Sequence, residues 1–349
     1  MAVARGVSGG SHPGACTLRF VLPITVSARQ RAQRLSTLTA IALAGLLLLY
    51  SLRGIDWRHA AAIVKGASPS LLALAVAIST ATLFLRAVRW RILLSAEGRI
   101  GVGAAFRATA AGYFANNFLP ARAGELVRTY LVSSSSALGG GFVLTTALAE
   151  RVADAIALAL LSAGILFAMP DPPGWLAGAA RPVAVVGLLG AGVIAGVPLF
   201  EPLFLRLAAR APASVNARLV SIIGAVARGL RSFHDARRLT GFFLLTAAIW
   251  WLDAVGAVIG ASALGLRLPL ASAFLLIAGL SLGSALPSTP GYIGIYQFVA
   301  VTVLTPFGFS RSDAIAFILV AQALMYVVVG VWGGMALLTM RAAPQLKDH

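Results

Sequence analysis

The ten residues NNFLPARAGE, 116–125, interrupt an apolar stretch that otherwise runs from 103 to 135. Pro120 removes a backbone donor and Gly124 loosens the chain. Irregular backbone at membrane depth is tolerated only inside protein or beside a water-filled cavity. The stretch therefore reads as a re-entrant hairpin with Asn116 and Asn117 at its tip. A second stretch, 269–306, breaks in the same way at LPSTPG, 286–291, so both breaks carry L-P-x-x-x-G at an offset of 167 residues. Spans beginning near 70 and 241 precede the breaks and spans near 142 and 313 follow them, each pair offset by 171. Each half reads as span, span, broken hairpin, span. Three spans per half insert the second half upside down, the arrangement of transporters with inverted repeats. The alternative is two ordinary spans per stretch, but each would have only about 15 residues where about 20 are needed.

Composition points the same way. Of 349 residues, 59% are apolar and 11% charged, and the mean hydropathy is +0.90. A soluble domain carries about 25% charged residues, and disordered, collagenous or coiled-coil chains need a polar or periodic bias. Six long apolar segments stand out at 36–52, 70–94, 142–168, 182–206, 241–265 and 313–340. The fold class expected is an all-α polytopic membrane protein with about six spanning helices and two re-entrant hairpins in an inverted repeat. Residues 1–35 and 341–349 read as cytoplasmic tails around a membrane domain at 36–340. Repeat 1 covers about 36–168 and repeat 2 about 182–340, joined by a basic connector at 207–240. In that connector Val215, Leu219, Ile222, Val226, Leu230 and Phe233 recur at helical spacing, as in a helix lying on an anionic leaflet or a plain basic linker.

The net charge of +17 could suggest nucleic acid, but in a membrane chain basic residues mark cytoplasmic loops. With both termini inside, 19 basic residues fall on the cytoplasmic side and 6 outside. This predicts a multi-pass protein of a bacterial inner membrane and no nucleic-acid partner. Arg86, Arg89, Trp90 and Arg91 end the second span and read as an interfacial anchor, with lipid-headgroup capture second. One cysteine, Cys16, and four scattered histidines give no metal site. No catalytic motif is present, so no cofactor and no enzyme activity are expected.

Charge within apolar stretches is expensive and needs a partner or a purpose. Glu125, Glu150, Asp154 and Asp253 are such residues. Arg122, Glu125 and Arg128 are spaced i, i+3, i+6, a trio of net +1 suited to holding a phosphate. Glu150 and Asp154 share a helix face and require a cation or a shared proton, which Arg122 or Arg128 could supply. Direct substrate contact and a structural ion-pair pin both fit. Asp253 reads as a proton carrier or as a partner for an arginine or hydroxyl. In the second hairpin Pro287, Ser288, Thr289, Pro290, Gly291, Tyr292 and Gln297 line the break as uncharged groups.

Four strings, RAVRWRILL, GYFANNFLPARAGELVRTYLV, LAERVADAIAL and LPSTPGYIGIYQ, occur in this order. Together they resemble the flippase-like integral membrane family that includes the transmembrane region of lysylphosphatidylglycerol synthases. The resemblance implies roles for Asn117, Pro120, Arg122, Gly124, Glu125 and Arg128 in the first hairpin. It implies roles for Glu150, Arg151 and Asp154 in the next span, and for Pro290, Gly291 and Gly294 in the second hairpin. Gln297 departs from the family, whose members often carry Glu there, which weakens a proton-coupled role at that position. No soluble transferase domain accompanies these motifs, so synthesis of lysyl-phosphatidylglycerol is not implied. The expected function is a lipid translocase, running downhill or coupled to protons. Its partners would be membrane lipids: a phospholipid, a hopanoid or a polyprenyl-linked lipid. The alternatives are an accessory subunit of a lipid or glycan biosynthesis enzyme and, last, a lipid-headgroup enzyme.

Overall fold

The computed structural model describes residues 39, 42–119, 123–170, 172, 174–210, 212–284 and 290–341. Among them there is no strand: the chain is an all-α polytopic membrane protein. Helix α1 is Ala42–Leu52. It is followed by α2 (Trp57–Lys65), α3 (Pro69–Leu94), α4 (Val102–Phe118), α5 (Gly124–Ser135), α6 (Gly140–Ala168) and α7 (Gly174–Gly196). The rest are α8 (Glu201–Ala208), α9 (Ala213–Arg231), α10 (Ala236–Ala263), α11 (Leu270–Gly283), α12 (Ile295–Leu304) and α13 (Arg311–Arg341). Five of these, α3, α6, α7, α10 and α13, are long and apolar enough to cross a membrane. α7 shows Val186, Leu188, Leu189 and Val193 on its surface, as a lipid-facing helix does.

Both broken stretches fold as helical hairpins, α4–α5 and α11–α12. The 12 residues of α5 and the 10 of α12 rise about 18 and 15 Å. Neither crosses a hydrocarbon core of about 30 Å alone. The first hairpin closes tightly because Gly124 lies against the backbone oxygen of Gly112 and the side chain of Asn116. In the second, Gly291 and Gly294 take positive φ of 72° and 91°, and Gly294 packs on the backbone of Ala44.

The packing keeps its form when the halves are exchanged. α4 packs on α13, and α11 on α6; α3 packs on α4, and α10 on α11; α2 packs on α13, and α9 on α6. α3 and α10, the equivalent spans, pack on each other. Ser68 bonds Ala263, Arg89 bonds Thr246, and Gly256 and Gly241 lie beside Ile78 and Ile92. Residue numbers rise on one helix as they fall on the other, so the pair is antiparallel, as inverted repeats require.

Two expectations shift. The span expected at 182–206 lies at 174–196, and a turn containing Pro198, which has no amide donor, separates it from α8. The C-terminal part of the connector's apolar face is also not free for a leaflet, while Ile222 is exposed. Val226, Leu230 and Phe233 pack with Leu93, Ala149, Ala153 and Phe242. Exposed apolar side chains there also come from α8 and the turn before it, at Leu199, Phe200, Leu203, Phe204 and Leu207.

Candidate functional site

α6 carries Glu150 and Asp154 one helical turn apart, both buried. Their cation is Arg89 of α3, itself fully buried. Its Nη1 and Nη2 donate to the two oxygens of Asp154 at 2.6 and 2.8 Å, a bidentate fork. Nη2 and Nε also donate to Glu150 Oε1 at 2.9 and 3.3 Å, and Nη1 donates to Thr246 of α10 at 3.0 Å. Glu150 Oε2 accepts from Arg128 Nη2 of α5 at 2.7 Å. The Arg128 guanidinium stacks on Trp90, 3.9 Å from the ring centre. Arg86 and Arg89 thus correct the expected interfacial anchor. They sit within α3 and face α6 and α10, because two carboxylates on one buried face draw the nearest cations inward.

Of the expected trio, Arg122 lies outside the described residues, and Glu125 and Arg128 take separate partners on α6. Glu125 pairs with Arg151 of α6 at 2.9 Å and accepts from Asn116 Nδ2 at 3.3 Å, while Arg128 goes to Glu150. Asn116 Oδ1 accepts the Gly124 N–H at 2.8 Å, capping α5 in place of a free helix start. Asn117 Nδ2 donates to Tyr113 O, and its Oδ1 is buried without a partner among the described residues. Pro120, Arg122, Pro287, Ser288 and Thr289 lie outside the described residues, and of Pro290 only the backbone is described.

Asp253 of α10 pairs with Arg86 Nη2 at 2.5 Å, and Arg86 Nη1 lies 3.9 Å from Asp154. Arg86 occupies the position in α3 that Asp253 occupies in α10, since both helices begin 17 residues earlier at an offset of 167. Two cavities meet here. One, about 200 Å³, is lined by Thr82, Arg86, Tyr113, Asp253 and Met325. The other, about 160 Å³, continues past Asp253 and Gly256 to Leu276, Leu280 and Phe317. Ser79, Asp253 and Ala321 line both. Together they form a cleft between α3, α10 and α13, closed by α4 at a polar end and by α11 at an apolar one.

The second hairpin builds a separate, neutral cluster. Gln297 Oε1 accepts from Gly294 N at 2.7 Å, and its Nε2 donates to Gln322 Oε1 at 2.5 Å. Gln322 Nε2 and the Tyr326 hydroxyl both donate to Gly291 O. Where a carboxylate–arginine pair ties the first hairpin to α6, an amide pair ties the second to α13. Tyr292 stacks on Tyr296. The two hairpins meet where α4 packs against the Pro290–Tyr292 turn.

From the sequence Arg86 and Arg89 were read as an anchor, with headgroup capture second, and Tyr113, Thr246, Gln322 and Tyr326 were not singled out. For the first two a signal existed: the carboxylates at i, i+4 in α6 demand as many cations nearby. Among the described residues the cluster holds four arginines (Arg86, Arg89, Arg128, Arg151) and four carboxylates (Glu125, Glu150, Asp154, Asp253), a neutral set.

No solved structure matches the chain. The glycosyltransferase AglD of Haloferax volcanii is 28% identical over 299 residues, 76% of this chain and 47% of that protein. The chain therefore spans about half the length of the curated relative it matches. Residues 37–333 match the family described as the lysylphosphatidylglycerol synthase TM region, and with most of its length inside that match the chain belongs to this family.

Proposed function

We propose that the protein moves a polar-headgroup lipid between the leaflets of an inner membrane, with both termini cytoplasmic. The observation that carries this reading is the cleft beside the α3–α10 contact, polar at Arg86 and Asp253 and apolar toward Leu276 and Phe317. A headgroup at the polar end and a chain along the apolar end match a lipid's own two ends. Arg89, Glu150, Asp154 and Arg128 bond one another and hold α3, α5, α6 and α10 in register. In this reading Arg128 positions the frame, and Arg86 and Asp253 meet the headgroup. The hairpins, re-entrant from opposite faces, would open the cleft alternately.

The test is reconstitution into vesicles with trace fluorescent lipids. The expected result is movement between leaflets faster than in empty vesicles for at least one phospholipid, hopanoid or polyprenyl-linked lipid, and loss of that movement in Arg86→Gln. Failure of every candidate lipid to move would remove the proposal.

A second reading is favoured by the relative named as a glycosyltransferase and by the synthase in the family's description. In it the membrane domain presents a lipid to a biosynthetic enzyme and does not itself carry it across. Stable copurification with such an enzyme, together with inertness in vesicles, would support this reading over the first.

A further inference from the structure

Arg86 differs from the other three arginines of the cluster. Arg89 uses all three guanidinium nitrogens on Glu150, Asp154 and Thr246. Arg128 is buried between Glu150 and the Trp90 ring. Arg151 bonds Glu125 and the Tyr113 hydroxyl. Arg86 donates one hydrogen bond among the described residues, to Asp253, and lies 4.7 Å from the centre of the Trp250 ring; what sets it apart is that it lines the cleft, together with Asp253. The set is neutral as it stands. An anion entering the cleft would leave one uncompensated negative charge in a low-dielectric site, which is strongly unfavourable.

We infer that Arg86 is the anion-binding residue of the cleft and that Asp253 takes up one proton for each anionic phosphate headgroup bound there. The inference rests on the lipid reading above. When Asp253 is protonated, Arg86 is released to form a bidentate pair with phosphate oxygens. When the headgroup leaves, Asp253 gives its proton to water on that side and recovers Arg86. Both states are neutral, so lipid anion and proton cross together without net charge. The groups facing Asp253 fit this role. From α3 come Arg86 and, beyond it, the fully engaged Arg89. From α4 comes Tyr113, and from α6 Asp154, 3.9 Å from Arg86. The cleft residues from α11 and α13 carry no charge, so among the described lining residues Arg86 is the one cation beside Asp253.

The experiment uses the full chain in phosphatidylcholine vesicles with trace fluorescent phosphatidylglycerol. Under a one-unit pH gradient the probe should accumulate in the leaflet facing the alkaline side, up to about tenfold. An imposed potassium potential without a pH gradient should leave its distribution unchanged. Asp253→Asn, which cannot release a proton, should lose the pH response and gain a response to potential. If the wild-type distribution follows potential and ignores pH, the inference falls while the lipid reading stands; a pH response kept in Asp253→Asn also overturns it. If no lipid moves, both fall. Uptake of free glycerol phosphate in place of the lipid would keep the anion site and overturn the lipid reading.

Discussion

Arg89 and Arg86 stand one turn apart on α3 and answer to different demands. Removing Arg89 would leave Glu150 with Arg128 alone and Asp154 with the longer 3.9 Å contact to Arg86. Breaking a buried pair from one side costs about 3–5 kcal/mol, most of it the stranded charge. Arg89→Met should therefore lower the unfolding temperature sharply in detergent and reduce accumulation in the membrane. Arg86→Gln strands one carboxylate at the edge of a cavity, so its protein should accumulate and lose lipid movement instead. Equal stability of the two variants would remove the distinction between frame and site. The carboxylates of this cluster were legible in the sequence because charge is rare in apolar segments. Arg86 and Arg89 were not, because an arginine at the end of an apolar run ordinarily snorkels to the interface. Sequence spacing also joined Arg122, Glu125 and Arg128, whereas α6 supplies the partners of Glu125 and Arg128 from 26 and 22 residues away. Long-range pairing of this kind has no local signature.

The first hairpin depends on two backbones touching. A Cβ on Gly124 would meet Gly112 O and the Asn116 side chain, and Asn116 is the group that caps α5. Overpacking of this kind costs about 1–3 kcal/mol. Gly124→Ala should destabilise the protein by that amount, measured by thermal unfolding in detergent. Gly139→Ala is the control: nothing lies within 4 Å of its added Cβ and its φ is −64°. A drop of equal size in both would place the effect elsewhere than in the hairpin contact. At this scale the breaks were legible, since Pro120, Gly124 and the LPSTPG string punctuate otherwise continuous apolar runs. The partner of an amphipathic face was not. Val226, Leu230 and Phe233 repeat with helical spacing whether lipid or protein covers them, and here α6 and α10 do. The eight residues of α8 were too short to register as an element of their own.

For the whole molecule, exchange of the halves preserves the packing and makes α3 and α10 antiparallel. If the exchange axis lies in the membrane plane, the open ends of the two hairpins face opposite sides. Three single cysteines in a Cys16→Ser background test this with a membrane-impermeant maleimide. Ser135→Cys, at the exposed end of α5, should react only from the cytoplasmic side. Arg267→Cys, in the exposed connection before α11, should react only from outside. Ala121→Cys, at the break itself, separates a re-entrant hairpin from two ordinary spans. A re-entrant turn stays shielded from the outer face, whereas a turn between two full spans reacts there. The lengths of α5 and α12 favour shielding, because helices rising about 18 and 15 Å end well within a core of about 30 Å. Reaction of Ser135→Cys and Arg267→Cys from the same face would break the inverted arrangement. Without that arrangement the cleft at Arg86 and Asp253 would no longer lie between two alternating halves, and alternating access would lose its geometric basis.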